Sequence, residues 1–258
     1  MDLGLSDLTV AVGGASRGLG RAVTERLLQE GARVIGIARS KDTLQQLAEQ
    51  WDDRFIVHAA DLTQASAVNN LAAELKEYGV YGVLFNSGGP PPGRIGEVSM
   101  QQWDDAYAST LRWKIQLTRA LLPYLRSRES SSLLYLESVS IKQPIDNLVL
   151  SNTFRAAVAG FVKTLSREEG KQGIRANIIA PGYHATDRIV TVLNRAAELQ
   201  EISREEVEQN FLAEVPLGAL GQPDDLAALA GFLLSPGSRY ISGQTISVDG
   251  GLTRFITG

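Results

Sequence analysis

Three features of the sequence predict a doubly wound α/β fold: a parallel sheet of about seven strands, with helices on both faces, in a single domain. Short apolar runs rich in β-branched residues alternate with longer amphipathic stretches. A glycine-rich turn follows the first run directly. No linker, repeat or low-complexity tract divides the 258 residues, so residues 1–258 are read as one unit.

Seven runs are read as strands: Thr9–Gly13, Arg33–Ala38, Phe55–Ala59, Gly82–Phe85, 132–137, 175–179 and Thr245–Val248. Each is expected to be buried on both faces, as strands of a helix-covered parallel sheet are. After the first run, Leu19, Val23, Leu27 and Leu28 share a helix face, and Gly31 suits the left-handed conformation that ends helices. This makes a first strand–helix–strand crossover, and such crossovers are right-handed. Ligands of these sheets gather beyond the carboxyl ends of the strands, near the point where strand order reverses. Function is therefore sought in the loops that follow the strands. Pro90-Pro91-Pro92-Gly93 is a rigid loop after the fourth strand. Residues 183–215 form a charge-rich helical excursion with Glu198, Glu201, Glu205, Glu206 and Glu208, either a substrate lid or a solvated surface helix.

The net charge of −4 speaks against nucleic acid or an anionic membrane as partner, since both need a clustered basic surface. Absence of cysteine excludes disulfides, thiolate metal sites and cysteine nucleophiles, and fits a cytoplasmic protein. His58 and His184, far apart in sequence, suggest no transition-metal site. Residues 1–7 lack the basic start and apolar run of a signal peptide, and no stretch approaches the roughly 18 apolar residues of a membrane span.

The turn after the first strand is Gly13-Gly14-Ala15-Ser16-Arg17-Gly18-Leu19-Gly20. A strand, glycines and a helix start, in that order, let backbone N–H groups and the helix dipole approach a pyrophosphate. Glycines alone are weak evidence, because turns need them too. The spacing is Gly-x-x-x-Gly-x-Gly, through Gly14, Gly18 and Gly20, and differs from the commonest dinucleotide fingerprint. Further on come Asp61-Leu62, Asn86-Ser87-Gly88-Gly89, Pro181-Gly182 with Thr186, Ile241-Ser242-Gly243-Gln244 and Val248-Asp249-Gly250-Gly251. With these motifs in order, residues 9–251 resemble the short-chain dehydrogenase/reductase family, in its 3-oxoacyl-carrier-protein reductase-like branch.

That resemblance implies a Rossmann-type fold binding a nicotinamide dinucleotide. The cofactor would be held by Gly14, Ser16, Arg17, Gly18, Leu19 and Gly20, by Asp61 and Leu62 at the adenine, by Asn86, Ser87 and Gly88, and by Pro181, Gly182 and Thr186 near the nicotinamide. The second strand ends in Arg39-Ser40, where a preference for the unphosphorylated cofactor would call for an acid. NADP(H) is therefore expected over NAD(H). In the other reading Arg39 is merely solvated, and Asp42 caps the next helix or faces the ribose.

The resemblance also implies hydride transfer between the cofactor and a small carbonyl or alcohol, served by a tyrosine, a lysine four residues later, a serine and an asparagine. Ser138 matches the serine, but Ser151 stands at the tyrosine position, Arg155 at the lysine position and Thr110 at the asparagine position. Arg155 can still bind the nicotinamide ribose, yet keeps its proton near neutral pH. An aliphatic hydroxyl is a far weaker acid than a phenol, so Ser151 needs help to donate a proton. Tyr183 and His184, after Pro181-Gly182, are alternative donors, with Lys142 a third. Besides an oxidoreductase with a non-standard proton donor, two readings stay open: a catalytically inactive NADP(H)-binding sensor or scaffold, and a non-redox enzyme of the same fold. His58 is read as a packed strand residue. Trp103, Tyr107 and Trp113 are either core or anchors of the homo-dimer or homo-tetramer that the resemblance implies.

Overall fold

A computed structural model describes residues 2–256; Met1, Thr257 and Gly258 of the expected 1–258 domain lie outside the described residues. Seven strands form one sheet in the order β3-β2-β1-β4-β5-β6-β7, and every neighbouring pair is parallel. They are β1 Thr9–Gly13, β2 Arg33–Ala38, β3 Phe55–Ala59, β4 Gly82–Phe85, β5 Ser131–Leu136, β6 Ile174–Pro181 and β7 Thr245–Val248. Five of the expected strands have these bounds, while β5 sits one residue earlier and β6 starts one residue earlier and runs two residues further. Glu137 thus begins the loop beyond β5, its N–H donating to Ile179 O at 2.9 Å.

Side chains alternate across the strands, as a pleat requires. Val10 and Val12 enter one core layer with Leu27, Leu134 and Leu233; Ala11 enters the other with Leu71, Leu117, Tyr135 and Val158. The first layer is covered by α1 (Gly18–Gln29) and, nearer the carboxyl end, Pro223–Leu234; the second by Ala65–Glu77, Trp113–Leu125 and Val149–Glu169. Burial on both faces holds for β1, β4 and β5 but not for β3 and β7, whose residues are largely half-buried. Those two are the sheet's edges, where one neighbour is missing and helical cover thins.

Gly31 has φ +88° just past α1, the left-handed position its sequence context predicts. The next helix, α2 (Lys41–Ala48), has Ser40 as its N-cap residue; Asp42 lies inside the first turn, correcting the expectation of Asp42 as cap. The remaining helices are α3 (Ala65–Glu77), α4 (Met100–Tyr107), α5 (Trp113–Leu125), α6 (Val149–Glu169), α7 (Asp187–Gln200), α8 (Arg204–Glu214) and α9 (Pro223–Leu234). Residues 108–112, between α4 and α5, form a π-helical turn. Residues 183–215 are helical as expected, as α7 and α8, and they bury an apolar cluster of Ile189, Leu193 and Val207 with Tyr183 and Phe211 against it. No described helix is long and apolar enough to cross a membrane.

At the carboxyl end of α6, buried Glu169 accepts two hydrogen bonds from Arg126, one of them 2.8 Å. These bonds hold its carboxyl below the ordinary value, against the opposing pull of burial. A depressed carboxyl stabilises the fold above its unfolded value of about 4.3 and ceases to do so as pH falls through the lowered folded value. Glu169→Gln is therefore expected to lower Tm at neutral pH, with the gap to wild type closing below about pH 4 in a thermal-denaturation series.

Candidate active site

Strand order reverses between β1 and β4, and the loops that follow these two strands flank the resulting crevice. In the first loop Gly14 and Gly18 adopt φ +65° and +56°. A Cβ on Gly20 would lie 2.2 Å from Gly14 O, so only glycine fits there. Asn86, after β4, donates from Nδ2 to Gly13 O at 3.1 Å, and Ala15 N donates to Ile37 O at 3.2 Å. Three strand ends thus hold one turn. It leads into α1, whose first turn has no acidic residue and no side-chain cap, leaving N–H groups and the positive dipole end for an anion.

Around this turn, Arg17, Arg39 and Ser40 are exposed, and among the described residues neither arginine forms an ion pair. Ser16 and Leu19 are half-buried on the same turn. Asp61 is drawn into a turn of its own, accepting from Thr63 N at 3.0 Å and Thr63 Oγ1 at 2.8 Å, while Leu62 packs on the second core layer. Ser87 donates to Ser109 O at 3.1 Å, and Gly88 borders open space. Across the crevice Thr186 heads α7, its methyl carbon 3.7 Å from where a Gly18 Cβ would stand. Gly182 is fixed by packing: a Cβ there would fall 2.8 Å from Asp249 Cα.

The second half of the site centres on Arg155, nine-tenths buried on α6. Its Nε donates to Ser151 Oγ one turn earlier at 3.1 Å, and its Nη1 donates to Glu137 O at 2.9 Å and Glu137 Oε2 at 3.1 Å. The other oxygen of Glu137 pairs with Lys114 of α5, and both side chains are fully buried. Burial pushes the Lys114 ammonium down from its ordinary value and the Arg155 charge adds to that, while the Glu137 carboxylate opposes both. One turn before Lys114 lies Thr110, whose buried Oγ1 has no hydrogen-bond partner among the described residues. Ser138 caps the short turn Val139–Ile141, accepting from Ser140 N at 3.1 Å, and Lys142 closes that turn. The rigid Pro90–Pro92 stretch is tied over the start of α6 through Gly93 N, which donates to Asn147 O at 2.6 Å.

Tyr183 and His184 are engaged elsewhere. Tyr183 stacks on Phe211 of α8 at 4.8 Å between centroids, and burial together with Glu214 raises its pKa. His184 is buried, its Nδ1 lies 3.3 Å from Gly182 O, and its unpartnered Nε2 abuts Gly221. Burial keeps this imidazole below its ordinary pKa. Neither residue hydrogen-bonds Ser138, Ser151 or Arg155. His58 meets Glu74 at 2.5 Å beside the sheet edge. Trp113 is core, tilted on Phe85, and Trp103 meets Phe154 edge-on, whereas Tyr107 is exposed.

Lys114, Glu137 and Arg188, the last on the first turn of α7 with its Nη2 3.7 Å from where a Gly89 Cβ would stand, are the residues that sequence reasoning missed. Lys114 shares a helical stripe with Leu117, Leu121 and Leu125, and a lysine on such a face has to find a buried acid. Glu137 ends an apolar strand run in the same way.

Residues 14–253 match the family model described as "Enoyl-(Acyl carrier protein) reductase". The chain belongs to the short-chain dehydrogenase/reductase family. Among relatives of this short-chain dehydrogenase/reductase, the 7alpha-hydroxysteroid dehydrogenase of Bacteroides fragilis is 31% identical, with 95% of this chain and 93% of that one covered. A 3-oxoacyl-[acyl-carrier-protein] reductase of Vibrio cholerae is 29% identical, with 97% and 99% covered. The crystal structure of L-sorbose reductase from Gluconobacter frateurii, complexed with NADPH and L-sorbose, superposes with a TM-score of 0.92 at 26% identity, over 99% of this chain and 100% of that one.

Breaking a buried ion pair by removing one partner typically costs about 3–5 kcal/mol, because a charge is left uncompensated. Glu137→Ala strands two cations in this short-chain dehydrogenase/reductase, whereas Lys114→Met leaves Glu137 paired with Arg155. Urea unfolding is expected to show the larger loss for Glu137→Ala.

Proposed function

We propose that this short-chain dehydrogenase/reductase is an NADP(H)-dependent oxidoreductase that interconverts a small carbonyl compound and its alcohol, with a non-standard proton donor. The observation that carries the reading is the glycine turn, packed so that no Cβ fits at residue 20, opening beside the unpaired Arg39 where β2 ends. Arg39, with Arg17 and Ser40, would receive the 2′-phosphate, since a guanidinium fork matches phosphate oxygens. Gly14, Ser16, Gly18, Leu19 and Gly20 would surround the pyrophosphate, Asp61 and Leu62 would border the adenine, and Asn86, Ser87, Gly88, Arg155, Pro181, Gly182 and Thr186 would border the nicotinamide half. The similarity to an NADPH-complexed sorbose reductase supports the same cofactor.

When bound, NADPH supplies the hydride that reduces the carbonyl carbon. The chain has to stabilise the oxygen and see a proton delivered to it. Because Arg155 Nε donates to Ser151 Oγ, the serine's own proton is directed elsewhere and is free for a substrate oxygen. The fixed charge of Arg155 next to that oxygen favours developing alkoxide character, as a preorganised cation does in a water-poor site. Ser138 offers a second hydroxyl at the end of β5. On this reading the proton comes from solvent by way of Ser151, and Tyr183 and His184 serve the packing of α7 and α8. These two helices act as the substrate lid: they pack on each other through an apolar cluster of their own, and Thr186 sets α7 across from the glycine turn.

Calorimetric titration with NADPH and NADH is the first test. NADPH is expected to bind more tightly, and Arg39→Ala to weaken it by about 10–100-fold, the range of a lost charge-assisted contact, while changing NADH little. Equal affinities would remove the cofactor assignment. Loss of reduced-nicotinamide absorbance across a panel of carbonyl compounds then tests turnover. Ser151→Ala is expected to lower kcat with NADPH affinity retained, and Tyr183→Phe and His184→Ala to cost less than about tenfold. NADPH binding without any turnover would instead favour a dinucleotide sensor.

A further inference from the structure

Arg188 stands at the start of α7, exposed as a residue but with its guanidinium partly withdrawn from water. It reaches toward the loop after β4. The point that a Cβ on Gly89 would occupy has two side-chain neighbours: Arg155 Nη2 at 3.4 Å and Arg188 Nη2 at 3.7 Å. Two guanidinium groups therefore converge on one spot, kept open by a glycine. Both Nη2 atoms lack a hydrogen-bond partner among the described residues, since Arg155 spends Nε on Ser151 and Nη1 on Glu137.

The local charge does not balance. Arg155 and Arg188 bring two guanidinium charges, and Glu137, which Arg155 shares with Lys114, is the one carboxylate within 4.0 Å of either among the described residues. Asp187, next to Arg188 in sequence, makes no ion pair with it. Desolvation first, and then the like charge of Arg155, pushes Arg188 down from its ordinary value. Two facing cations repel unless an anion lies between them, and guanidinium forks are shaped for the oxygens of a carboxylate or phosphate.

We infer that Arg155 and Arg188 form an oxyanion subsite beside Gly89, and that the carbonyl compound this protein reduces carries a carboxylate or phosphate group. The inference rests on the proposed oxidoreductase reading and narrows its substrate to anionic compounds. Arg155 binds substrate here as well as supporting Ser151, and Arg188 is the specificity-determining partner that arrives with the lid.

The test uses matched pairs with NADPH: 2-oxobutanoate against its methyl ester, and dihydroxyacetone phosphate against dihydroxyacetone. In at least one pair the anion is expected to exceed its neutral counterpart in kcat/KM by about tenfold or more, and the pair that responds identifies carboxylate or phosphate. Arg188→Ala is expected to lower kcat/KM for that anion by about 10–100-fold, mainly through KM, with Arg188→Lys recovering part of it and NADPH affinity unchanged. Equal turnover of anion and neutral partner would overturn the subsite. So would an Arg188→Ala protein that loses NADPH as severely as substrate, which would assign Arg188 to the cofactor's own phosphates. If no carbonyl is turned over, calorimetry of oxalate and of inorganic phosphate into the NADP⁺-loaded protein decides separately. Binding that Arg188→Ala weakens tenfold sustains the subsite while the redox reading falls; no binding of either ion overturns it.

Discussion

Glu137 holds together two halves of the site that the chain builds from distant segments. Its carboxylate takes Lys114 from α5 on one oxygen and Arg155 from α6 on the other, while its backbone carbonyl accepts again from Arg155. In a buried position this arrangement is demanding: each ion has given up its water, and mutual attraction offsets that only when the geometry satisfies every donor. The consequence is positional. With Nη1 fixed on Glu137 and Nε on Ser151, the guanidinium plane has little freedom, and Nη2 is left pointing past Gly89. The direction of one unpaired N–H pair is thus settled by a buried carboxylate.

The crevice owes its place to the sheet. Because β1 is flanked by β2 and β4, the chain leaves β1 toward one face and β4 toward the other, and the loops after them part at their carboxyl ends. Asn86 then ties the two loops at the floor of the gap. The floor is built on strands buried on both faces, while α7 and α8, proposed above as the lid, share a small apolar cluster of their own. A floor of that kind suits a cofactor that must be presented in one geometry. A separately packed pair of helices suits the proposed lid, which would open and close over a substrate.

Much of this was legible from residues alone. Strand bounds followed from apolar runs flanked by turn residues, and the glycine turn followed from its spacing. What the sequence hid was relational. Burial of β3 and β7 depends on strand order, which no local pattern contains, so both edges were expected to be drier than they are. The apolar run includes Glu137 as its last residue, but β5 ends one position earlier and leaves Glu137 in the site. Lys114 had a signal, its place on an apolar helical stripe, but its partner could not be named until α5 was laid beside β5. Arg188 had none: the spot it reaches is set by the angle at which α7 leaves Thr186. Tyr183 and His184 looked promising by adjacency to Pro181-Gly182, yet adjacent residues point different ways, and these two point into packing.

The replacements at residues 151 and 155 are best understood together with Lys114 and Glu137. A lysine can sit near a phenol as a compact charge and tune its acidity. An arginine is larger, holds its proton, and needs oxygens for several N–H groups. Glu137 supplies them, but a single carboxylate buried against an arginine would neutralise the charge that a reacting oxygen needs. Lys114 restores it. The buried row of Lys114, Glu137 and Arg155 ends on Ser151, and Arg188 adds a guanidinium beside Gly89. On the proposed reading, a weak serine hydroxyl is compensated by a site more positive than a single ammonium would make it. A surplus of that kind also changes what can bind, because a neutral substrate leaves two guanidinium groups converging beside Gly89, whereas an anion turns their repulsion into attraction. The chemistry that replaces the phenol and the selection of an acidic substrate are then two consequences of one charge arrangement.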